Sequence, residues 1–366
     1  MIHPFKHAFV KVFTATAVAA VVVLGGSGLT QALAQEVSFA DKTVTLMHNT
    51  PPGSSVDVFC RQAGPHVMRY LPGKPKFIVI AKPGGRFLLG ASHFYRNVKP
   101  DGMSAGVFAT LPGQMAAGNK MPIDITNFVQ VGGLGQSYIY YMRKDFGMTS
   151  ADQLLNPPGK IISGAGGPNT NSQLMWRLFM NGIGAKDKYK QIFGYRGQMG
   201  QLKALRSGEI NTASMLATLY LQLLPGLTKE GLTRHMFETG QIEPNGKISQ
   251  TPGLNVPTFD SLWRKFVPNR LENKEFKAWQ LLMTSVQLTW QFVLPPETPA
   301  KYADAWDRAF ASALKDKTFA AEMKKAGSLI PFWVDRKTAI QKLAKIKDAR
   351  EDAEYQAAIK SVFLIR

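Results

Sequence analysis

The feature that most constrains the fold is a strand that passes into a helix through a Pro-Pro-Gly turn, within residues 44–63. Val44, Leu46 and His48 alternate with Thr45 and Met47 in a strand-like run over 44–49, which predicts a strand. After the turn at 51–53, apolar residues recur with the three-and-four spacing of an amphipathic helix. The chain is therefore predicted to open with a strand–loop–helix unit of an α/β domain.

The start of that helix has the composition of an anion cradle. Ser54 and Ser55 stand where a hydroxyl caps free backbone N–H groups, and Asp57 follows in the first turn. Gly53 lets a ligand approach the backbone closely, and free N–H groups at a helix start attract anions. We therefore predict a ligand-binding loop from Pro52 to Asp57. An ordinary strand-to-helix turn is the alternative.

The same pattern recurs once in the next fifty residues, and a further strand follows it. A strand is predicted at 77–81, followed by a glycine loop at 82–86 and a helix to about residue 98, and another strand at 106–109. Glycines after strands that alternate with helices indicate an open, mostly parallel sheet. Ligands bind such sheets at the carboxyl ends of the strands. The candidate residues here are Gly85, Arg86 and Thr110.

A second unit with the same pattern begins near residue 160. A strand at 160–163 leads into a glycine loop, and polar capping residues precede a helix at 173–180. A later loop at 194–197 also precedes a helix. The predicted ligand-binding residues of this unit are Gly166, Gly167, Asn169, Thr170, Asn171, Ser172, Tyr195, Arg196, Gly197 and Met215.

An extended segment at 128–142 is predicted to cross between the two units. It contains the run Gly132-Gly133-Leu134-Gly135, but a strand follows this run where a dinucleotide-binding loop requires a helix. We therefore do not predict a nucleotide site here.

Residues 1–34 have the pattern of a secretory signal peptide. Lys6 and Lys11 form a basic start, an apolar stretch follows, and a small-residue cleavage site ends at Ala34. The apolar stretch is shorter than the about 20 residues that a spanning helix needs. The sequence predicts an exported, periplasmic protein. Cys60 is the single cysteine, which excludes an intramolecular disulfide, and its place on the apolar helix face predicts a buried structural thiol.

The charge and the motifs favour binding over catalysis. The net charge is +19, and +17 without the leader, which suits an anionic ligand. The basic residues are scattered, so a nucleic-acid partner is not predicted. The sequence contains no metal-binding His or Cys pattern, no phosphate-binding loop and no nucleophile elbow. Ser55 and Asp57 do not make a triad, because no motif supplies a histidine as base. We predict no metal and no cofactor.

The residues resemble a known family. Thr50–Val58 together with Arg61 resemble the Pro-Pro-Gly-Gly-(Ser/Thr)-x-Asp-x-x-x-Arg signature of Bug-type proteins, the solute receptors of tripartite tricarboxylate transporters. The matches run in family order from about residue 42 to 330 and include segments 82–85, 100–102, 163–172, 195–197, 256–258 and 292–299.

The resemblance implies a periplasmic-binding-protein fold of type II-like organisation. Each lobe would hold a central, mostly parallel sheet flanked by helices, with a ligand cleft between the lobes. Lobe 1 would comprise residues 35–137 and 291–366, and lobe 2 residues 138–290. The implied function is capture of a small organic mono- or dicarboxylate by lobe closure and delivery to membrane transporter subunits. The receptor would be a monomer without a cofactor. The alternatives are a sensor of the same fold or an exported enzyme.

The chain departs from the family pattern in four places. Gly-Ser-Ser at 53–55 replaces Gly-Gly-Ser, and Asn211 stands where the family has Asp. The loop at 82–86 lacks one Ala-Gly pair and carries Arg86, and the stretch 240–290 is longer than usual. These differences leave the identity of the ligand open.

Five side chains bear on ligand type. Arg86 and Arg196 would each pair with a distal carboxylate as bidentate donors, or else lie solvated on the surface. Phe108, Tyr138 and Tyr195 are predicted near the cleft, which extends the expectation to aromatic acids.

Overall fold

The computed structural model describes residues 37–167, 170–243, 247–325 and 332–362. The predicted signal peptide at 1–34 lies outside these residues. The strands are β1 (Thr43–His48), β2 (Lys76–Ala81), β3 (Ser104–Ala109), β4 (Val129–Leu134), β5 (Tyr138–Arg143), β6 (Ile161–Ala165), β7 (Tyr189–Phe193), β8 (Thr212–Leu216), β9 (Thr233–Glu238), β10 (Gln241–Ile242), β11 (Ile248–Ser249), β12 (Trp290–Leu294) and β13 (Trp333–Asp335). The helices are α1 (Ser55–Tyr70), α2 (Leu88–Asn97), α3 (Leu111–Ala116), α4 (Asn171–Gly182), α5 (Gly197–Ser207), α6 (Ala217–Glu230), α7 (Phe259–Phe266), α8 (Lys274–Val286), α9 (Ala300–Leu314), α10 (Lys317–Lys325), α11 (Arg336–Ala349) and α12 (Ala353–Val362).

These elements form two principal sheets. The first has the strand order β13-β4-β12-β3-β1-β2 and the second β7-β6-β8-β5-β9. The chain leaves the first sheet after β4, enters the second at β5 and returns to the first at β12. The predicted α/β, two-lobed fold is therefore confirmed, and the crossing within 128–142 falls at residues 135–137.

The sheets are mixed, which corrects the prediction that they are mostly parallel. Among the described strands, four pairings in these sheets are parallel and five are antiparallel. The parallel pairs are those whose carboxyl ends carry the predicted loops, namely β2-β1-β3 and β7-β6-β8. The antiparallel pairs arise because β12 and β13 run opposite to the other strands of the first sheet, and β5 runs opposite to the other strands of the second.

The glycine run in β4 serves packing between strands. A Cβ at Gly132 would lie 2.3 Å from the ring of Trp333, and one at Gly133 would lie 2.3 Å from Leu288. The absence of side chains thus lets β13 and the segment before β12 lie close to β4, which explains the glycines without a nucleotide.

One hydrophobic cluster extends from the first sheet into the second. It joins Phe94 and Phe108, beside the first sheet, to Trp176 of α4 and Trp279 of α8, all of them buried. Helix α8 contacts α4 as well as α3, α11 and α12. The two sheets are therefore linked by shared packing as well as by the crossing segments.

The sequence also predicts a helix with Thr298 as its cap and Pro299 as its first residue, and one amphipathic helical tail at 335–365. The structure differs from both and contains a further helix. Helix α9 begins at Ala300 with Pro299 as its N-cap, and the Thr298 hydroxyl donates to the Pro295 carbonyl oxygen at 2.8 Å instead of capping the helix. The predicted helical tail at 335–365 divides into α11 and α12. Helix α6 was not predicted. Among the described helices, none is long and apolar enough to cross a membrane.

Candidate functional site

Three loops meet where the parallel strands of the first sheet end. Strand β1 lies between β2 and β3, so the residues after its end face both neighbouring loops. The buried Asn49 side chain donates to the Phe87 carbonyl oxygen at 2.8 Å and to the Ala109 carbonyl oxygen at 3.1 Å. Its oxygen accepts the Ala109 N–H at 2.9 Å. One amide thereby fixes the relative positions of the three loops.

Two of these loops hold non-glycine residues in the left-handed region. Arg86, Phe87 and Thr110 have φ values of 52°, 73° and 68°. Such conformations cost about 1–3 kcal/mol each and persist where surrounding contacts impose them. The Gln114 amide donates to the Arg86 carbonyl oxygen at 2.8 Å and to the Thr110 hydroxyl at 3.3 Å, which ties one strained loop to the other.

A ring of hydrogen bonds encloses the start of α1. The buried His48 ring contacts Asp57 at 2.9 Å through Nε2 and Thr50 at 3.0 Å through Nδ1. The Thr50 hydroxyl lies 2.6 Å from that of Ser54, and the Ser54 oxygen accepts the Asp57 N–H at 3.4 Å. The predicted Ser54 cap is confirmed, and it is one member of a closed four-residue ring.

In this ring, each residue donates a hydrogen bond to one neighbour and accepts one from the other. The ionised Asp57 carboxylate only accepts, so His48 donates from Nε2 and accepts at Nδ1. Thr50 therefore donates to His48, and Ser54 donates to Thr50. The hydroxyl protons of Thr50 and Ser54 are therefore both used in hydrogen bonds within the ring.

The ring stabilises Asp57 as a carboxylate. Burial by itself disfavours its charge, but hydrogen bonds from Arg61, from the Gly53 N–H and from His48 outweigh that effect and lower the pKa of Asp57 to about 2. Arg61 contacts both carboxylate oxygens at 3.0–3.2 Å. Burial lowers the pKa of His48 despite its bond to Asp57, which favours the neutral imidazole that the ring requires.

Fewer backbone N–H groups are free to bind an anion than the sequence predicts, because some already donate within this loop. The Gly53 N–H donates to Asp57 at 2.9 Å, and the Ser54 N–H donates to the Pro51 carbonyl oxygen at 3.2 Å. Neither is free for a ligand. Within the described part of the chain, the N–H groups of Ser55 and Val56 have no hydrogen-bond acceptor. These two first-turn donors are what the loop offers an anion.

The loops of the second sheet contact one another directly. The N–H groups of Gly194 and Tyr195 donate to the Ala165 carbonyl oxygen at 3.1 and 3.3 Å. The Tyr195 ring lies over Gly164, where a Cβ would come within 2.9 Å of it, and its hydroxyl donates to Glu209 at 2.8 Å. The predicted loops around Gly166 and Tyr195 are thus brought together at the ends of β6 and β7.

The start of α4 faces the first lobe. The Asn171 amide donates to the Ser285 hydroxyl at 2.9 Å, and a Cβ on Gly113 of α3 would lie 2.2 Å from the Asn171 amide nitrogen. The carbonyl oxygen of Ser172 accepts a bond from the Tyr140 hydroxyl at 2.7 Å. Asn171 is therefore held between the two lobes.

Most of the other predicted residues of the loops are exposed. Pro52, Gly53, Gly85, Arg86, Gly166, Thr170, Arg196 and Gly197 are exposed, and Gly167 is half-buried. Asn169 lies outside the described residues.

Met215 and two of the three aromatic residues do not fit the predicted cleft. Met215 is fully buried in a cluster within the second lobe, so its side chain is a core residue. Phe108 is fully buried against Phe94, and Tyr138 is 9% exposed with its pKa raised to about 12 by burial. Strands alternate their faces, and these side chains point to the packed face.

Sequence reasoning missed three residues that organise the site, His48, Asn49 and Gln114. It found no histidine beside Asp57, yet His48 contacts that carboxylate. The one available signal was that polar residues end a strand that is otherwise apolar. His48 is fully buried and Asp57 also pairs with Arg61, so the arrangement supports the loop and presents no accessible base.

No protein-family model matches the chain, and no curated protein matches its sequence. Its structure resembles those of periplasmic binding proteins. Rpa4515 of Rhodopseudomonas palustris, solved with adipate, has a TM-score of 0.60 at 16% identity, covering 87% of this chain and 97% of that one. The periplasmic binding protein BugD gives 0.59 at 15% identity over 87% and 97%. MatC of Rhodopseudomonas palustris, solved with malate, gives 0.57 at 15% identity over 87% and 98%.

At these identities the comparison establishes the fold. The chain has the fold of Bug-type periplasmic binding proteins across nearly all of the described residues, as the ordered motifs predicted.

Proposed function

We propose that this chain is a periplasmic receptor that captures a small organic carboxylate between its lobes. The observation that carries the proposal is the pair of acceptor-free N–H groups of Ser55 and Val56 at the start of α1. A helix N-terminus with free donors is a binding site for a carboxylate. Asp57 adds a negative charge beside it, but Arg61 balances that charge. The lobe boundaries near residues 137 and 290 belong to the same proposal.

An aliphatic dicarboxylate is the ligand that the site supports best. Two structures of the same fold hold malate and adipate, both of which carry two carboxylates. Arg86 and Arg196 are exposed, and neither guanidinium has an ion-pair partner within the described residues, so each is available for the distal carboxylate. Because Phe108 and Tyr138 are buried, the aromatic alternative has lost most of its support.

We further propose export through the segment at 1–34 and delivery of the ligand to the membrane subunits of a tripartite tricarboxylate-type transporter. The receptor would act as a monomer and without a cofactor. A sensor that uses the same closure to signal is the alternative partner system. The transporter and the sensor system differ in the protein that recognises the closed receptor. The ligand-binding step is the same in both.

Ligand class is tested by thermal unfolding of residues 35–366 against a panel. The panel contains malate, succinate, adipate, citrate and benzoate, with a nucleotide and a neutral sugar as controls. A ligand at a hundred times its dissociation constant stabilises the protein by about 2.7 kcal/mol. We expect upward shifts confined to aliphatic carboxylates. Protein refolded from denaturant is tested in parallel to remove any co-purified ligand, and a panel without any shift contradicts the proposal.

The cradle is tested by two substitutions at one residue. Ser55→Pro removes the N–H at the first helical position, where proline is well tolerated. Ser54 precedes it at φ −71° and ψ 165°, which a following proline permits. Ser55→Ala removes the hydroxyl and keeps the N–H.

We expect Ser55→Pro to weaken binding at least about tenfold, or about 1.4 kcal/mol. Ser55→Ala should bind nearly as the wild type, and both should unfold at wild-type temperatures. Calorimetry with the best ligand of the panel measures the difference. Equal affinities for the two variants would rule out the Ser55 N–H as a ligand donor.

A further inference from the structure

A second groove lies away from the loops described above. It has a volume of about 540 Å³ and runs between one face of α8 and one face of α11. Ile248 of β11 and Asp260 of α7 complete its walls. Pockets that hold small molecules commonly measure about 300–1,000 Å³. The groove is thus large enough for a small organic ligand.

The groove is basic. Lys342 and Lys345 project from adjacent turns of α11, and Lys277 stands on α8. Lys277 pairs with Glu354 at 3.0 Å, and the single lining acid, Asp260, pairs with Arg264 at 2.8 Å. Lys342 and Lys345 have no ion-pair partner within the described residues. The charge of these two lysines is therefore uncompensated.

The surroundings of Lys342 disfavour its positively charged form. Its side chain is half-buried, and burial together with the nearby charge of Lys345 lowers its pKa, while Asp335 only partly offsets them. An anion between the two ammonium groups would offset both effects, because it adds negative charge beyond that of Asp335.

An amide side chain also lines the groove. Gln287 lines it and is only 7% exposed, yet its side chain has no hydrogen bond within the described residues. Thr284 and Gln280 stand on the same face of α8 as Gln287. The groove thus provides an unpartnered amide and a hydroxyl besides two cations.

From these features we infer that the groove between α8 and α11 is a second binding site, for a small organic anion with at least two acidic groups. Lys342 and Lys345 bind one acidic group, and the Gln287 amide donates to another. Carboxylate and phosphate share the required chemistry.

The position of the groove connects it to the crossing between the lobes. The Gln287 backbone lies about 3.0 Å from where a Cβ on Gly135 would be, in the 135–137 segment. The walls come from elements on both sides of that crossing. An anion in the groove therefore contacts both lobes, apart from the Ser55 cradle.

The test follows the reactivity of individual lysines. The mature chain is acetylated briefly with and without citrate, and separately with inorganic pyrophosphate, and the modification of each lysine is measured by mass spectrometry. A ligand at ten times its dissociation constant should slow the labelling of Lys342 and Lys345 about tenfold, because only the free fraction reacts. Lys203, exposed on α5, is the internal control.

Two variants separate the groove from the cleft. Protection should persist in Ser55→Pro, which alters only the cradle. The citrate-induced rise in Tm that remains in Ser55→Pro should become smaller when Lys342→Gln and Lys345→Gln are added. Protection by citrate alone or by pyrophosphate alone would identify the acidic group that the site accepts. The inference is overturned if neither anion protects Lys342, if Lys203 is protected equally, or if protection disappears in Ser55→Pro.

Discussion

A single buried imidazole determines how the ligand loop is built. His48 joins the end of β1 to the first turn of α1, and it does so only as the neutral tautomer that donates to Asp57. Adding a proton to Nδ1 would place a donor where the Thr50 hydroxyl and the Thr50 N–H both donate. The ring is thus compatible with one protonation state of His48.

This protonation state predicts a dependence of stability on pH. The pKa of His48 is below its ordinary value of 6.5 in the folded chain, so below pH 6.5 the unfolded chain binds the proton more strongly. Stability therefore falls as the pH falls through that value, by up to about 1.4 kcal/mol one pH unit lower. Urea unfolding at pH 7.5 and 5.5 measures the loss for wild type and for His48→Gln.

The variant should lose less stability on acidification than the wild type. His235→Gln is the matched control, because burial also lowers the pKa of His235 but that residue lies outside the ring. Weaker ligand binding is expected in His48→Gln alone. An unchanged pH slope in His48→Gln would show that His48 does not carry this dependence.

Hydrogen-bond partners that lie close together in the chain could be predicted from the sequence, whereas distant partners could not. Ser54 and Asp57 are three residues apart and were predicted together as cap and first-turn acid. His48 is nine residues from Asp57, and Asn49 is sixty residues from Ala109. No spacing rule links such pairs, because the sheet that brings them together forms from the whole lobe.

At the scale of elements, the approach of α3 to α4 links the lobes. Gly113 provides the space in which the Asn171 side chain lies, and Asn171 is anchored to Ser285. The two helices follow Thr110 and Thr170, both of which were predicted as ligand-binding residues. Their contact thus determines how closely the two sets of loops approach.

A methyl group at Gly113 should weaken that approach. Gly113→Ala places a Cβ about 2.2 Å from the Asn171 amide nitrogen, so Asn171 has to move and lose its bond to Ser285. We expect a drop in ligand affinity of at least about tenfold and a larger radius of gyration with ligand bound, measured by calorimetry and solution scattering.

Gly226→Ala is the control, since Gly226 lies within α6 with open space around its Cα. It should bind ligand normally and gain up to about 1 kcal/mol of stability from helix propensity. Normal affinity in Gly113→Ala would mean that the lobes close without this contact.

Elements were predictable where local pattern and packing agree. The helix after the Pro-Pro-Gly turn was predicted because its apolar spacing, cap and first-turn acid all indicate the same start. Helix α6 was missed because Pro225 and Gly226 stand inside it and indicate a break. Burial of Tyr220 and Leu227 against the second sheet outweighs that local preference.

At the scale of the whole molecule, the lobes share a core. The cluster that includes Phe108, Trp176 and Trp279 extends across both sheets, and α8 packs on helices of each. The repeated strand–loop–helix pattern predicted two lobes but not this sharing, because apolar spacing shows that a face is buried without showing which element covers it. The mixed sheets have the same origin, since strand direction depends on where the chain returns.

A shared core predicts cooperative unfolding. Loss of either lobe would expose the tryptophans that pack on the other, so we expect one calorimetric transition whose calorimetric and van 't Hoff enthalpies agree. A saturating carboxylate should move that whole transition. Two separate transitions, of which the ligand shifts only one, would show that the lobes unfold independently.

At the proposed carboxylate site, the one-way ring at the start of α1 would also determine which solutes are preferred. Ser54 and Thr50 have committed their protons within the ring, so toward a solute the half-buried Ser54 oxygen has only a lone pair to offer. A second carbonyl oxygen facing Ser54 would meet repulsion, whereas a hydroxyl or ammonium group would gain a bond. Solutes that carry a hydroxyl or amino group next to the captured acid are therefore favoured over their plain or keto counterparts.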